Sequence, residues 1–281
     1  MYPIVIQRID GLLTAHTASF EAVAADLPTE ALHPVRLPNG RALIAVTFYQ
    51  KRAPTAGSGA STIVMPPYAE LPISAVVTRR PMSRAAAMLA LVGPRSSDLG
   101  GFALQFPLTS RFWRDAARSA LGSPMFVADF DLDVSGSEWR LRVSENDQDI
   151  VTVRVRPGGS LRRIHDAHAA FGVLDRKLIA ARLETEFVAR RRRDGATLEL
   201  GADHPVADAL RRLDVSPRAF MTFVYHDGRA TLLAPEPVGD AGPYPCHPGL
   251  DVPFGRYTVR YPETPPIDQY AASDMRGDIM A

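Results

Sequence analysis

Between Ser110 and Val134 the apolar pattern changes period, from that of a helix to that of a strand, across one Gly-Ser-Pro joint. Ser110 suits a helix N-cap, because its hydroxyl accepts a backbone N–H that the first turn leaves unpaired. Phe112, Trp113, Ala116, Ala117, Ala120 and Leu121 then share one helical face. Gly122 stands where a helix end calls for a left-handed residue, and Pro124 prevents the helix from resuming. Beyond it the period is two: Phe126, Ala128, Phe130, Leu132 and Val134 alternate with Val127, Asp129, Asp131 and Asp133. The spacing predicts a strand with one apolar and one acidic face, and parity puts Met125 on the acidic side.

The rest of the chain reads as many short strands and few helices. A short helix over Phe20–Asp26 is capped by Thr17 or Ser19 and stopped at Pro28. Asn39-Gly40 signals a turn before a strand over Ala42–Tyr49. Residues 51–61, rich in Gly, Ala, Ser and Pro, read as a loop. A strand entered through Pro66-Pro67 follows, to Val77. Residues 83–92 stay open between a helix and a buried strand. Gly101–Leu108 reads as a strand. Trp139/Leu141/Val143 and Val151/Val153/Val155 alternate as a hairpin. Residues 161–172 read as a weak helix, and Glu184–Arg192 as extended. Asp203 caps a helix with Pro205 in its first turn, and Ala219–Tyr225 and Arg229–Leu233 flank a hairpin turn at His226-Asp227-Gly228. Prolines are dense from Pro235 onward. This element order argues for an antiparallel sheet or barrel with helices laid outside. It divides as a domain over residues 1–235 and a Pro-rich extension over 236–281.

Composition narrows the partners. The chain has 281 residues, enough for a sizeable core, and a net charge of +1. That balance offers no argument for a nucleic-acid or membrane partner. Lys51 and Lys177 are the two lysines, every other basic side chain being Arg or His, and Cys246 is the one cysteine, so no intrachain disulfide forms. The excess of Arg and Ala is that of a GC-rich bacterial coding sequence. The N-terminus lacks a signal-peptide pattern and no apolar run has membrane-spanning length, which makes the cytoplasm the expected compartment.

The joint at Pro124 resembles one in the acetoacetate decarboxylase superfamily, where Gly-Arg-Glu leads after four residues to Pro-Lys-Lys. Here Ala117-Arg118-Ser119 leads after the same spacing to Pro124-Met125-Phe126. Three further stretches resemble that family. Tyr68-Ala69-Glu70 matches its Tyr-x-Glu. Gly101–Thr109 matches the strand before its lysine-bearing helix. Asp203–Leu213 matches its C-terminal helix. By element order the resemblance covers residues 15–235. It implies a cone-shaped, mostly antiparallel β barrel with peripheral helices, of α+β class, and a homo-oligomer. It also implies departures. Met125 stands where the family has its Schiff-base lysine, and Phe126 where a second lysine depresses the first one's pKa. The strand Ala42–Tyr49 lacks the family's second cavity glutamate, and a family arginine near the N-terminus corresponds to Arg8.

A protonated imine accepts the electrons released by decarboxylation, and a thioether cannot form one. The resemblance therefore leaves Glu70 as the candidate general acid or base. Tyr68 and Tyr49 are candidate hydroxyl donors to a substrate, Met125 and Phe126 candidate lining, and Arg8 a candidate contact. The favoured function is a lysine-independent enzyme acting on a small carbonyl-containing metabolite by isomerisation, cyclisation, dehydration or non-imine decarboxylation. The alternative is a non-catalytic binding or interaction protein with a degenerate site. No cofactor is implied. Lys51 shares strand parity with Thr47 and Tyr49, but at the edge of a loop its expected state is solvated. His165 with His168, even with Asp166 or His204, lacks convincing metal-ligand spacing, and Asp129, Asp131 and Asp133 lack a calcium-loop glycine. Arg190–Arg193 reads as a solvated face.

Overall fold

The computed structural model describes residues 3–56, 63–86 and 99–261. The strands in its first half are β1 (Ile4–Ala18), β2 (His33–Pro34), β3 (Ala42–Ala56), β4 (Ile63–Val64), β5 (Tyr68–Glu70), β6 (Ile73–Thr78), β7 (Leu99–Leu108) and β8 (Met125–Val127). They are followed by β9 (Asp129–Asp133), β10 (Trp139–Glu145), β11 (Gln148–Val155), β12 (Ser160–Leu174), β13 (Lys177–Arg192), β14 (Ala196–Leu200), β15 (Met221–Leu232), β16 (Glu236–Asp240) and β17 (Tyr257–Arg260). The helices described from end to end are α1 (Phe20–Asp26), α2 (Arg111–Leu121) and α3 (Pro205–Arg212), and residues 84–86 are helical too.

Among the described residues twelve strands form one sheet, and it closes on itself. Strand β1 pairs antiparallel with both β15 and β3, and the path through β13, β12 and β7 returns to β3 by way of β5 and β6. Closure leaves the ring without open edges where it matters most. Parallel pairing is confined in this ring to β7 with β12 and β7 with β8. A second sheet, in the order β14-β11-β10-β9-β17, packs on it. The main core lies between them, joining Leu12, Ile44, Phe48 and Phe102 of the ring to Phe130, Leu141, Val151 and Leu198 of the second sheet. The architecture is the mostly antiparallel β barrel that the element order predicted.

Local chemistry explains the joints. Ser110 caps α2 by accepting from Trp113 N–H, and Gly122 ends it at φ 60° with its N–H on Ala117 O and Arg118 O. The turns at Asn146-Asp147 and Asp175-Arg176 hold both residues at positive φ, the geometry that two-residue hairpins favour.

Several expectations are corrected. Residues 161–172 are strand within β12, because all of Ser160–Leu174 pairs with β13. His226–Gly228 is no hairpin turn: β15 runs through it, with an irregularity opposite β1 and β13. His204, one residue after Asp203, is the N-cap of α3 and accepts from Val206 N–H through its ring. Residues 51–56 continue β3 rather than opening a loop, and 57–61 lie outside the described residues. Of 83–92, residues 87–92 also lie outside them. The proline-rich tail, as far as Tyr261, is tied down by β16 on β13 and β17 on β9. No helix among the described residues is long and apolar enough to cross a membrane.

Candidate active site

Strand β5 is three residues long, bounded by Pro67 and by Leu71-Pro72. Its pairing with β3 sets Tyr49 opposite Glu70 and Lys51 opposite Tyr68. Facing residues of paired strands project to the same side, so all four side chains share one face. Glu70 is 2 % exposed, and its Oε1 lies 2.5 Å from Lys51 Nζ. Lys51 also donates to Tyr68 Oη at 3.2 Å and sits 5.3 Å from the Tyr68 ring and 5.5 Å from the Tyr49 ring. The Lys51 side chain is 14 % exposed, so it is a buried partner of Glu70 and not the solvated loop residue expected. Burial, then the Glu70 charge and a hydrogen bond with it, push the Tyr68 hydroxyl well above the usual phenol range and keep it protonated.

Helix α2 closes this group from one side. Trp113 stacks on Tyr68 at 4.8 Å and donates its Nε1–H to Pro66 O at 3.1 Å. Met125 joins the same cluster, with Met65, Leu108, Trp113 and Ala117 around Tyr68. Arg118, on the last turn, holds the joint together by donating to Met125 O at 2.7 Å and Pro248 O at 2.6 Å. Met125 thus packs in the apolar cluster that holds Tyr68, the hydrogen-bond partner of Lys51. Glu70 keeps one buried oxygen, Oε2, with no hydrogen-bond partner. An unpaired buried carboxylate oxygen is costly, and a catalytic role is one of the explanations for such an atom.

Other candidates are not brought to this place. Phe126 points into the main core, its ring edge-on to His247 at 4.8 Å. Arg8 is half exposed and pairs with Asp10 at 3.4 Å and Asp227 at 3.7 Å. On β1 it is Ile9, not Arg8, that pairs opposite Lys51. Tyr49 belongs to the site's face and stacks on Tyr225 at 6.1 Å. A cleft of about 160 Å³ lined by Trp139, Pro157, Gly158, Arg190 and His226 shares none of the site's residues.

The groups considered for metals resolve otherwise. Asp129, Asp131 and Asp133 meet Arg256 and Arg260 of the tail at 2.6–3.2 Å. His168 faces Asp166 at 2.9 Å, and His165 faces Glu186 at 3.7 Å. His204 instead joins Glu145 and His247, a buried cluster spread over three distant parts of the sequence that no local pattern announces. Its Nδ1 accepts from Val206 N–H at 3.2 Å, so its Nε2 carries the proton and donates to Glu145 Oε2 at 3.1 Å. With these partners the group forms a hydrogen-bonded clasp. His247 Nε2 at 2.6 Å and Leu250 N–H at 2.8 Å complete it. Burial alone would raise the Glu145 carboxyl, but these three donors outweigh it and hold it down to about 2.

No family model matches the chain, and no curated protein does. Solved structures do. An acetoacetate decarboxylase superposes with a TM-score of 0.62 at 13 % identity, over 85 % of this chain and 90 % of that one. The acetoacetate decarboxylase of Legionella pneumophila gives 0.61 at 14 % identity, over 85 % and 88 %. The enduracididine biosynthesis enzyme MppR, in complex with pyruvate, gives 0.58 at 13 % identity, over 85 % and 91 %. The chain has the acetoacetate decarboxylase-like fold.

Proposed function

We propose that the chain is an enzyme that acts on a small carbonyl-containing metabolite without an imine at position 125, and that Glu70 carries the proton. The supporting observation is Glu70 itself: 2 % exposed, held by Lys51 through one oxygen, with the other oxygen buried and unpaired. Isomerisation, cyclisation, dehydration and non-imine decarboxylation share one need, a base or acid beside a carbonyl in a site that excludes water. Glu70 supplies it. The acetoacetate decarboxylases and MppR of the same fold lend the enzyme class by analogy. A small carbonyl compound is the expected partner, and a homo-oligomer the expected assembly, to be read by sedimentation.

The test is deuterium exchange in D2O, followed by proton NMR, at carbons next to the carbonyl in a panel of ketones and keto acids. Wild type should speed exchange in at least one compound, and Glu70→Gln should lose that by about 100-fold or more. Equal rates in the two proteins would remove Glu70 from the chemistry. Borohydride added with acetoacetate should leave the protein mass unchanged. The second reading, a binding protein, draws on the close packing of Met65, Trp113 and Met125 around Tyr68. A ligand retained in native mass spectrometry, with no exchange in any compound, would favour it.

A further inference from the structure

Resting on the proton-transfer reading above, we infer that Lys51 is the site's electrophile and that the substrate presents a neutral carbonyl, a ketone, aldehyde or ester rather than a keto acid. Removing a proton beside a carbonyl moves an electron pair onto the carbonyl oxygen, and something must receive that charge. An imine lysine would serve, but position 125 is Met. Two donors already converge next to Glu70: the Lys51 ammonium, 2.5 Å from Glu70 Oε1, and the Tyr68 hydroxyl, 3.2 Å from the same nitrogen. Both are fixed by the β3–β5 register and the Trp113 stack, so they need no reorganisation when charge develops.

In the step itself Glu70 takes the α-proton through its unpaired Oε2. The C–H electron pair becomes the enolate, whose oxygen lies against Lys51 and Tyr68. Glu70 then returns the proton at carbon, or to a rearranged position. Lys51 forms no covalent bond and loses no proton. Glu70 Oε1 occupies the ammonium in the free protein, the place the substrate oxygen takes.

Charge sets the substrate class. One cation and one carboxylate already balance in the site. A ligand carboxylate would bring a second negative charge into a buried space, which demands another cation. Among the described residues, the arginines on β1, β3 and α2 are committed elsewhere. Arg52 faces Asp10 and Gln50, Arg114 binds Asp115 and Asp251, Arg118 binds Met125 O and Pro248 O, and Arg8 pairs with Asp10 and Asp227.

The experiment compares pentan-2-one with 4-oxopentanoate, a ketone and its carboxylate-bearing counterpart, by the same NMR exchange assay. Wild type should exchange pentan-2-one at least tenfold faster than 4-oxopentanoate, each relative to buffer, a preference on the order of that expected from one uncompensated buried charge. Lys51→Met should lose about 100-fold, as for removal of a preorganised donor, whereas Lys51→Arg, which keeps the cation without a nucleophilic amine, should stay within about tenfold of wild type. The double variant Lys51→Met/Glu70→Gln, with both charges removed, guards against a single variant that fails to fold. Its circular dichroism should match wild type while exchange stays at background. Equal exchange of the two probes would overturn the neutral-substrate assignment. Lys51→Met as fast as wild type, with Glu70→Gln inactive, would overturn the role of Lys51 and leave that of Glu70 standing. A borohydride-trapped pentyl adduct on Lys51, with Lys51→Arg inactive, would replace the electrophile with a covalent amine. Loss of nothing on Glu70→Gln would instead sink the proton-transfer reading beneath both.

Discussion

At the scale of the residue, the buried Lys51–Glu70 pair is the centre of the proposed proton transfer and also bears on stability. Two charges taken out of water repay their desolvation only while each has the other. Lys51→Met strands the Glu70 carboxylate at 2 % exposure, and the expected cost is about 3–5 kcal/mol. Lys51→Met/Glu70→Gln removes the stranded charge and should recover most of that loss. Urea denaturation of the three proteins checks it. Additive losses, with the double variant worse than the single, would mean that the two side chains are not coupled. Tyr68 is tied to the same pair, since its raised pKa comes first from burial and then from the Glu70 charge.

Among the elements, α2 and the joint behind it decide where Met125 and Trp113 sit. The joint depends on Gly122. Its φ of 60° suits glycine, and a Cβ there would lie 2.0 Å from Val173 O on β12. Gly122→Ala combines about 1–2 kcal/mol of left-handed strain with a backbone collision, so a loss above that range is expected. Thermal melting checks the size. Trp113 fluorescence should change too, because shifting the end of α2 alters the stack on Tyr68. A melting temperature equal to wild type would mean that β12 and α2 separate freely. The β3–β5 pairing works the same way. Its register, not either strand alone, brings Lys51 over Tyr68.

Across the whole molecule, the tail is fastened to the second sheet and to α3 through Glu145. The carboxyl's folded value, about 2, lies below its ordinary 4.5. A depressed carboxylate contributes its full stability above its unfolded pKa and loses it as pH falls toward the folded one. The clasp should therefore act in full above about pH 4.5 and fade down to about pH 2. At neutral pH its worth is on the order of 3 kcal/mol. Urea midpoints of wild type and Glu145→Gln should differ most at pH 6 and draw together as pH falls through about 2. A gap that stays constant with pH would mean that the Glu145 charge does not hold the tail. Arg256, just before β17, and Arg260, at its end, are exposed; they fasten the same tail to Asp129, Asp131 and Asp133 and are worth less for being in water.

Local spacing alone determined α1, α2 with its Ser110 cap and Gly122 end, the β10–β11 hairpin, and the absence of an amine at position 125. Those features depend on neighbours within a few residues, so periodicity and capping chemistry suffice. Element order and four short motifs carried the barrel and the candidacy of Glu70. Tertiary structure decided the rest. The Lys51 parity with Tyr49 was visible, but only pairing with β5 turned it inward and buried it. The weak helix at 161–172 became β12 because β13 offered a partner along its whole length. Glu145, His204 and His247 lie 43 or more residues apart, Glu145 from His204 by 59 and from His247 by 102, and meet only once the chain is folded. Hydrogen-bond partners far apart along the chain leave no period to read, since long-range pairing is chosen by the whole fold and not by the segment.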